Sequence, residues 1–95
     1  MSTKEKLVNE IIDDLKRKGI IEVKYTEVVE GGRDITIKCR DGTTTNVETL
    51  DEETTENIDT LFRLLEHLKK VPDCEEGQEV QFEVNGLTLK YEFLA

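Results

Sequence analysis

The sequence predicts an α+β fold, a two-layer sandwich with two helices on one face of an antiparallel sheet, in the order α-β-β-β-α-β-β. Two segments carry apolar residues at helical spacing, four alternate apolar and polar residues, and one is rich in β-branched residues. No strand segment is continuously apolar, so each strand is expected to keep one face in water. With 95 residues, the chain is expected to form a single domain, 1–95.

A first helix is predicted over residues 3–18. Ser2 followed by Glu5 fits a capping box at its start, and Gly19 is a natural residue for the position after its end. The apolar stripe consists of Leu7, Val8, Ile11, Ile12 and Leu15.

The first hairpin is predicted around Gly31 and Gly32. The expected register pairs Tyr25 with Cys39, because this keeps the apolar residues of both strands on one face. Glu27 would then point inward, so a β-bulge is expected near Val28. The alternating apolar residues are Ile21, Val23 and Tyr25 in the first strand and Ile35, Ile37 and Cys39 in the second.

A third strand and a second helix follow. Asp41-Gly42 indicates a turn, and the β-branched segment 43–49 is predicted to be an edge strand. Asp51 or Thr49 is expected to cap the second helix, and Pro72 is expected to end it. The apolar stripe of this helix consists of Ile58, Leu61, Phe62, Leu65 and Leu68.

The last hairpin turns at Asn85-Gly86, a dipeptide that favours a two-residue turn. This turn pairs Val84 with Leu87, Phe82 with Leu89 and Val80 with Tyr91, all on one face. Because stripes with one apolar face must meet, we expect one common core. Its predicted members are Leu7, Ile11, Leu15, Ile37, Leu61, Phe62, Leu65, Phe82, Leu89 and Tyr91.

No residue pattern predicts an enzyme, a metal site or a cofactor. His67 is the only histidine, and it precedes Cys74 without an orienting third group. Two cysteines and one histidine do not form a zinc set, and the carboxylates of residues 73–79 lack the spacing of a calcium loop. A small enzyme or ligand binder is the least favoured interpretation.

The two cysteines are expected to be free thiols, with a single Cys39–Cys74 bridge as the alternative. Cys39 is expected to be buried and Cys74 to be exposed in a loop. No apolar run is long enough for a membrane span, and the N-terminus does not have the pattern of a signal peptide. A soluble, cytoplasmic protein is therefore expected.

Charge is distributed unevenly along the chain. Residues 1–50 carry 9 basic and 10 acidic side chains, and residues 51–95 carry 4 and 12, so the formal charge changes from −1 to −8. Such a field disfavours direct contact with nucleic acid or an anionic membrane and favours a basic protein surface. The predicted partner-binding residues are Asp51, Glu52, Glu53, Glu56, Asp73, Glu75, Glu76 and Glu79.

The α-β-β-β-α order of residues 3–70 resembles the double-stranded-RNA-binding domain in topology. That family binds phosphates through lysines at the start of its second helix, where this chain has the acidic segment 51–56. The departure argues against RNA binding, which needs cations there. Acidity, length and element order over residues 3–68 are also similar to those of some small acidic phage inhibitors of CRISPR nucleases, which block a basic nucleic-acid channel.

The sequence therefore supports one main hypothesis about function. The chain is interpreted as a small acidic protein-interaction module, of the inhibitor, immunity or nucleic-acid-mimicking kind, that docks on a basic partner. The alternative is a domain without legible function, either an orphan domain or a computationally designed α+β protein.

Overall fold

The computed structural model describes residues 2–95 and has the α-β-β-β-α-β-β order that the sequence predicts, so the α+β fold class is confirmed. Both helices and the inward residues of the strands share one hydrophobic core. The elements are α1 (Thr3–Arg17), β1 (Ile20–Val28), β2 (Arg33–Cys39), β3 (Thr44–Asn46), α2 (Glu52–His67), β4 (Glu79–Val84) and β5 (Leu87–Leu94).

The sheet is mixed rather than purely antiparallel. Its strand order is β3-β2-β1-β5-β4; the central pair β1/β5 is parallel, and the other neighbouring pairs are antiparallel. The parallel pair arises because β5, not β4, lies beside β1. The inward residues Leu87 and Leu89 of β5 are fully buried in this central position, whereas Phe82 of the edge strand β4 is half-buried.

The register of the first hairpin differs from the predicted one by four residues. Tyr25 pairs with Ile35, not with Cys39, and Glu27 pairs with Arg33. The turn lies over residues 29–31 and is closed by a hydrogen bond of 2.9 Å from the Val28 N–H to the Gly32 carbonyl. A shift by an even number of residues keeps every side chain on its face, so hydrophobic patterning alone could not distinguish the two registers.

The predicted β-bulge also lies elsewhere. The register shifts between Ile20 and Glu22, at the start of β1, and not near Val28. The extra residue allows both Ile20 and Val23 to be buried, and it leaves the Ile21 side chain 40% exposed. The bulge thus reverses the predicted orientation of one apolar residue.

Side-chain caps fix the starts of both helices as predicted. The Ser2 hydroxyl accepts a hydrogen bond from the Glu5 N–H, and the Asp51 carboxylate accepts one from the Thr54 N–H.

The end of α2 is not set by Pro72. Lys69, with φ 57°, ends the helix, and the Lys70 N–H donates to the Leu65 carbonyl at 2.9 Å, which is the Schellman arrangement.

The core contains eight of the ten predicted residues in buried positions. Leu7 is 39% exposed, so its assignment was wrong, and Phe82 is only half-buried. At 3.6 residues per turn, Leu7 lies about 90° from the centre of the buried stripe of α1, which runs through Val8 and Leu15. Its side chain therefore points along the helix flank rather than toward the sheet.

The sheet face opposite the helices is polar, as predicted, and ion pairs cross its central strands. Lys24 Nζ lies 3.7 Å from Glu92 Oε1, and Lys90 Nζ lies 3.5 Å from Glu22 Oε1. Arg40 lies just beyond β2 and donates to the Lys16 carbonyl. Partly exposed pairs of this kind contribute little to stability.

Candidate interaction surfaces

The first predicted acidic run lies at the start of α2, and one of its members has a structural role. The Asp51 carboxylate accepts hydrogen bonds from the Thr54 N–H at 3.0 Å and from the buried Thr54 hydroxyl at 2.8 Å. These bonds hold the pKa of the Asp51 carboxyl below its ordinary value. Lys18 Nζ donates to the same hydroxyl at 3.1 Å, which ties the end of α1 to the start of α2. Asp51 is therefore a helix cap.

The other carboxylates of this run point into solvent. Glu52, Glu53 and Glu56 are exposed and form no ion pair within residues 2–95. Glu52 and Glu53 lie in the first turn of α2, where negative charge favours the helix dipole. Helix stabilisation thus accounts for their position without a partner.

The second predicted run, residues 73–79, is held against the end of β5. The Gly77 N–H donates to the Phe93 carbonyl at 2.8 Å. Glu75 and Glu76 are exposed at the turn, and Glu79 begins β4, where its carboxylate lies 3.8 Å from Lys24 Nζ. The run is therefore a fixed connection between α2 and β4, not a free loop.

Cys74 differs from the prediction within this run. It is half-buried and packs against the core, and its thiol donates to the Gln78 carbonyl at 3.1 Å. Cys39 is also half-buried, and both cysteines are free thiols. His67 does not join Cys74, because its Nδ1 lies 3.3 Å from Lys4 Nζ, beside the start of α1.

The structure separates the two acidic runs. They lie at opposite ends of α2, a helix of 16 residues that is about 24 Å long at 1.5 Å per residue. The first run adjoins the end of α1, and the second adjoins the ends of β1 and β5. They are thus two patches with different surroundings.

Sequence reasoning missed further carboxylates at this end of the sheet, with Glu92 on the open face and Glu27 and Glu66 on the helix side. Glu92 pairs with Glu79 across β4 and β5, and both carboxylates share Lys24. Glu27 accepts a hydrogen bond of 2.5 Å from the Tyr91 hydroxyl. The partial burial of Glu66, together with the negative charge of Glu27, raises the pKa of the Glu66 carboxyl. We call this group the acidic end of the sheet; it comprises Glu27, Glu66, Asp73, Glu75, Glu76, Glu79 and Glu92.

An exposed apolar pair lies at the same end of the sheet. Val29 is 57% exposed and Leu94 is 37% exposed. The two residues are adjacent, because the Val29 N–H donates to the Leu94 carbonyl at 2.9 Å. The parallel pairing of β1 with β5 brings them together from distant parts of the chain. No sequence pattern predicts that Val29 and Leu94 are close, because their contact depends on the parallel pairing of β1 with β5.

Two clefts accompany these surfaces, and both are smaller than the ~300–1,000 Å³ typical of small-molecule sites. One, of about 240 Å³, lies between the helices and the end of β4. The other, of about 130 Å³, lies where α2 crosses the end of β1, beside Tyr25, Asp59 and Glu66. Within residues 2–95, no group of three or more His, Cys, Asp or Glu residues is arranged to hold a metal ion.

Comparison with known proteins adds no relative: no protein-family model, curated protein or solved structure matches this chain. Across residues 2–95, neither helix has the length and apolar character that a membrane crossing requires.

Proposed function

We propose that this chain is a small acidic protein-interaction module that docks on a basic protein surface through the acidic end of the sheet. The observation that carries the proposal is the exposed pair Val29 and Leu94, set beside these carboxylates. Protein interfaces commonly combine a buried apolar centre with a polar rim. The carboxylates would steer a basic partner, and the apolar pair would be buried on contact.

The proposal covers an inhibitor, an immunity protein and a nucleic-acid mimic, each of which would occupy a basic surface. The net charge of −9 supports a basic partner and disfavours direct contact with DNA or RNA. The two free thiols, Cys39 and Cys74, support a cytoplasmic location as part of the proposal, because thiols stay reduced in that compartment. The exposed residues Glu52, Glu53 and Glu56 would form a second, separate patch that contributes long-range attraction.

The test compares two charge reversals of equal size. Glu75→Lys with Glu76→Lys changes the acidic end, whereas Glu52→Lys with Glu53→Lys makes the same change in net charge at the start of α2. The wild type and both variants are immobilised and exposed to cell lysate at low and high salt. Captured proteins are identified, and their binding rates are then measured with purified material.

We expect a basic protein that the wild type and the α2 variant retain and that the variant of the acidic end loses. The captured protein should associate more slowly with the variant of the acidic end than with the wild type, and the salt dependence of its association rate should be weaker, because rim charges act mainly on the on-rate. Equal losses in both variants would mean that only net charge matters. Unchanged binding in both variants would reject the acidic surface and favour a domain without a partner of this kind.

A further inference from the structure

The edge strand β4 has a row of unpaired backbone groups. It is the last strand of the sheet and pairs only with β5. The two-residue turn makes Val84 and Leu87 a hydrogen-bonded pair, so the N–H and C=O groups of alternate residues face β5. The groups that face outward belong to Glu79, Gln81 and Glu83, and within residues 2–95 no backbone partner approaches them.

The helix layer covers β4 incompletely. The inward residues Val80, Phe82 and Val84 are half-buried, whereas their partners on β5 are almost inaccessible. Leu87 and Leu89 are each 0% exposed. An additional strand beside β4 would therefore bury apolar surface as well as complete a ladder of backbone hydrogen bonds.

The cleft of about 240 Å³ lies at the Val84 end of this strand. Its apolar lining comes from Val8 in α1, Leu68 at the C-cap of α2 and Val84 in β4, and the charged residues Glu5 and Lys70 border it. The cleft is too small for most ligands but has room for a single aliphatic side chain. A segment paired with β4 would have one inward side chain near this position.

The charges along β4 indicate which kind of segment can pair with this strand. The side chains of Glu79 and Glu83 point to the open face of the sheet and are exposed. Two copies of β4 paired antiparallel about Gln81 would place Glu79 of one copy opposite Glu83 of the other, and like charges in that position are destabilising. The other edge strand, β3, has only three residues and offers a much shorter ladder.

We propose that β4 accepts an extended segment of a basic protein as a sixth strand, with Lys or Arg residues beside Glu79 and Glu83 and aliphatic residues on the inward face. This inference rests on the proposed function, since it requires the partner to be basic. It adds the binding mode, which is strand addition at an edge, and a sequence pattern of alternating basic and aliphatic residues.

The test uses a short synthetic peptide of alternating valine and lysine, with a peptide of the same composition in two blocks as control. Binding is measured by titration, and amide hydrogen exchange reports protection at Gln81 and Glu83. Gln81→Pro removes an outward N–H that β5 does not use, and an edge strand tolerates proline there. Gln81→Ala keeps the N–H and serves as the matched variant, and circular dichroism verifies the fold of both.

We expect the alternating peptide to bind, to protect both amides and to lose affinity at least about tenfold in Gln81→Pro but not in Gln81→Ala. Equal binding of the two peptides, or no effect of the proline, would overturn strand addition. A wild-type dimer that Gln81→Pro dissociates would assign the edge to a second copy and would also overturn it. The lysate experiment with the variant of the acidic end decides the proposed function separately, because that variant leaves the outward N–H of Gln81 in place.

Discussion

The guanidinium of Arg33 binds the carboxylate of Asp59 through two parallel contacts, Nε to Oδ1 at 2.8 Å and Nη2 to Oδ2 at 2.9 Å. Arg33 begins β2, and Asp59 lies in the middle of α2, so the pair links the first hairpin to the helix layer. The Tyr25 hydroxyl donates to the same carboxylate at 3.0 Å. Tyr25 also stacks on Phe62, with ring centroids 4.7 Å apart. A polar network thus borders the core directly.

The titration of Tyr25 provides a test of this network. Burial, and then the charge and hydrogen bond of Asp59, raise the pKa of Tyr25 to about 12. The chain has two tyrosines, so Tyr91→Phe leaves Tyr25 as the only one, and its ultraviolet absorbance should titrate near that value. Additional Asp59→Asn should lower the Tyr25 pKa. A midpoint near the ordinary value of about 10 would contradict the structure.

Stability should consequently fall in alkali. The pKa of Tyr25 is higher in the folded state than the value of about 10 expected in the unfolded chain. The folded state therefore holds the phenol proton more tightly, and this contribution is fully present below pH ~10. It is lost as the pH rises through the folded value, and urea unfolding across that range should show the loss. Tyr25→Phe should have a flatter profile than the wild type.

Core packing predicts unequal effects for one substitution at two sites. Leu65 is fully buried, and Leu65→Ala should lower the free energy of unfolding by about 2–5 kcal/mol. Leu7→Ala removes the same atoms from a side chain that is 39% exposed, and it should change the free energy of unfolding by no more than about 0.5 kcal/mol. Urea unfolding of both variants measures the difference, and similar losses at the two sites would refute the assignment of the buried stripes.

The helix cap at Asp51 predicts that the folding stability depends on pH in the acidic range. Hydrogen bonds from Thr54 lower the folded pKa of Asp51, so its contribution is present above the unfolded value of about 3.9 and is lost as the pH falls through the folded value. Asp51→Asn keeps an acceptor without the charge. The stability advantage of the wild type over this variant should disappear in acid, as thermal unfolding at several pH values would show. Glu76→Gln removes one charge from the exposed 73–79 segment, away from the start of α2, and serves as the matched control.

The ends of the two helices predict opposite effects of glycine. Lys69 has φ 57° at the end of α2, whereas Gly19 has φ 85° at the equivalent position after α1. Lys69→Gly should stabilise the protein by about 0.5–1 kcal/mol, because glycine adopts this conformation without steric cost. Gly19→Ala should destabilise it by about 1 kcal/mol for the converse reason. Lys70→Gly, at a residue without positive φ, should not stabilise the chain.

Local chemistry made much of the fold predictable. The caps Ser2 and Asp51 mark the helix starts, and the hairpin at Asn85-Gly86 has the predicted register, with Val84 paired to Leu87. Each of these features involves residues only a few positions apart. Backbone propensity and side-chain hydrogen bonding therefore determine them without reference to distant parts of the chain.

The candidate surfaces were only partly predictable. The sequence identified the exposed carboxylates of residues 73–79, but not the neighbouring Glu27 and Glu92 or the adjacent apolar pair Val29 and Leu94. Glu27, Val29 and Leu94 meet because β5 lies parallel to β1, whereas Glu92 lies opposite Glu79 within the hairpin of β4 and β5. That arrangement depends on which strand of the last hairpin is buried at the centre of the sheet.

The sequence by itself determined the element order, the helix starts and the tight turns, because these depend on neighbours along the chain. Only the tertiary structure decided the parallel pair, the register of Tyr25 with Ile35 and the exposure of Leu7. Alternative strand pairings can keep the same residues on the apolar face. The choice among them comes from close packing of the whole core, where each side chain competes for the same enclosed volume.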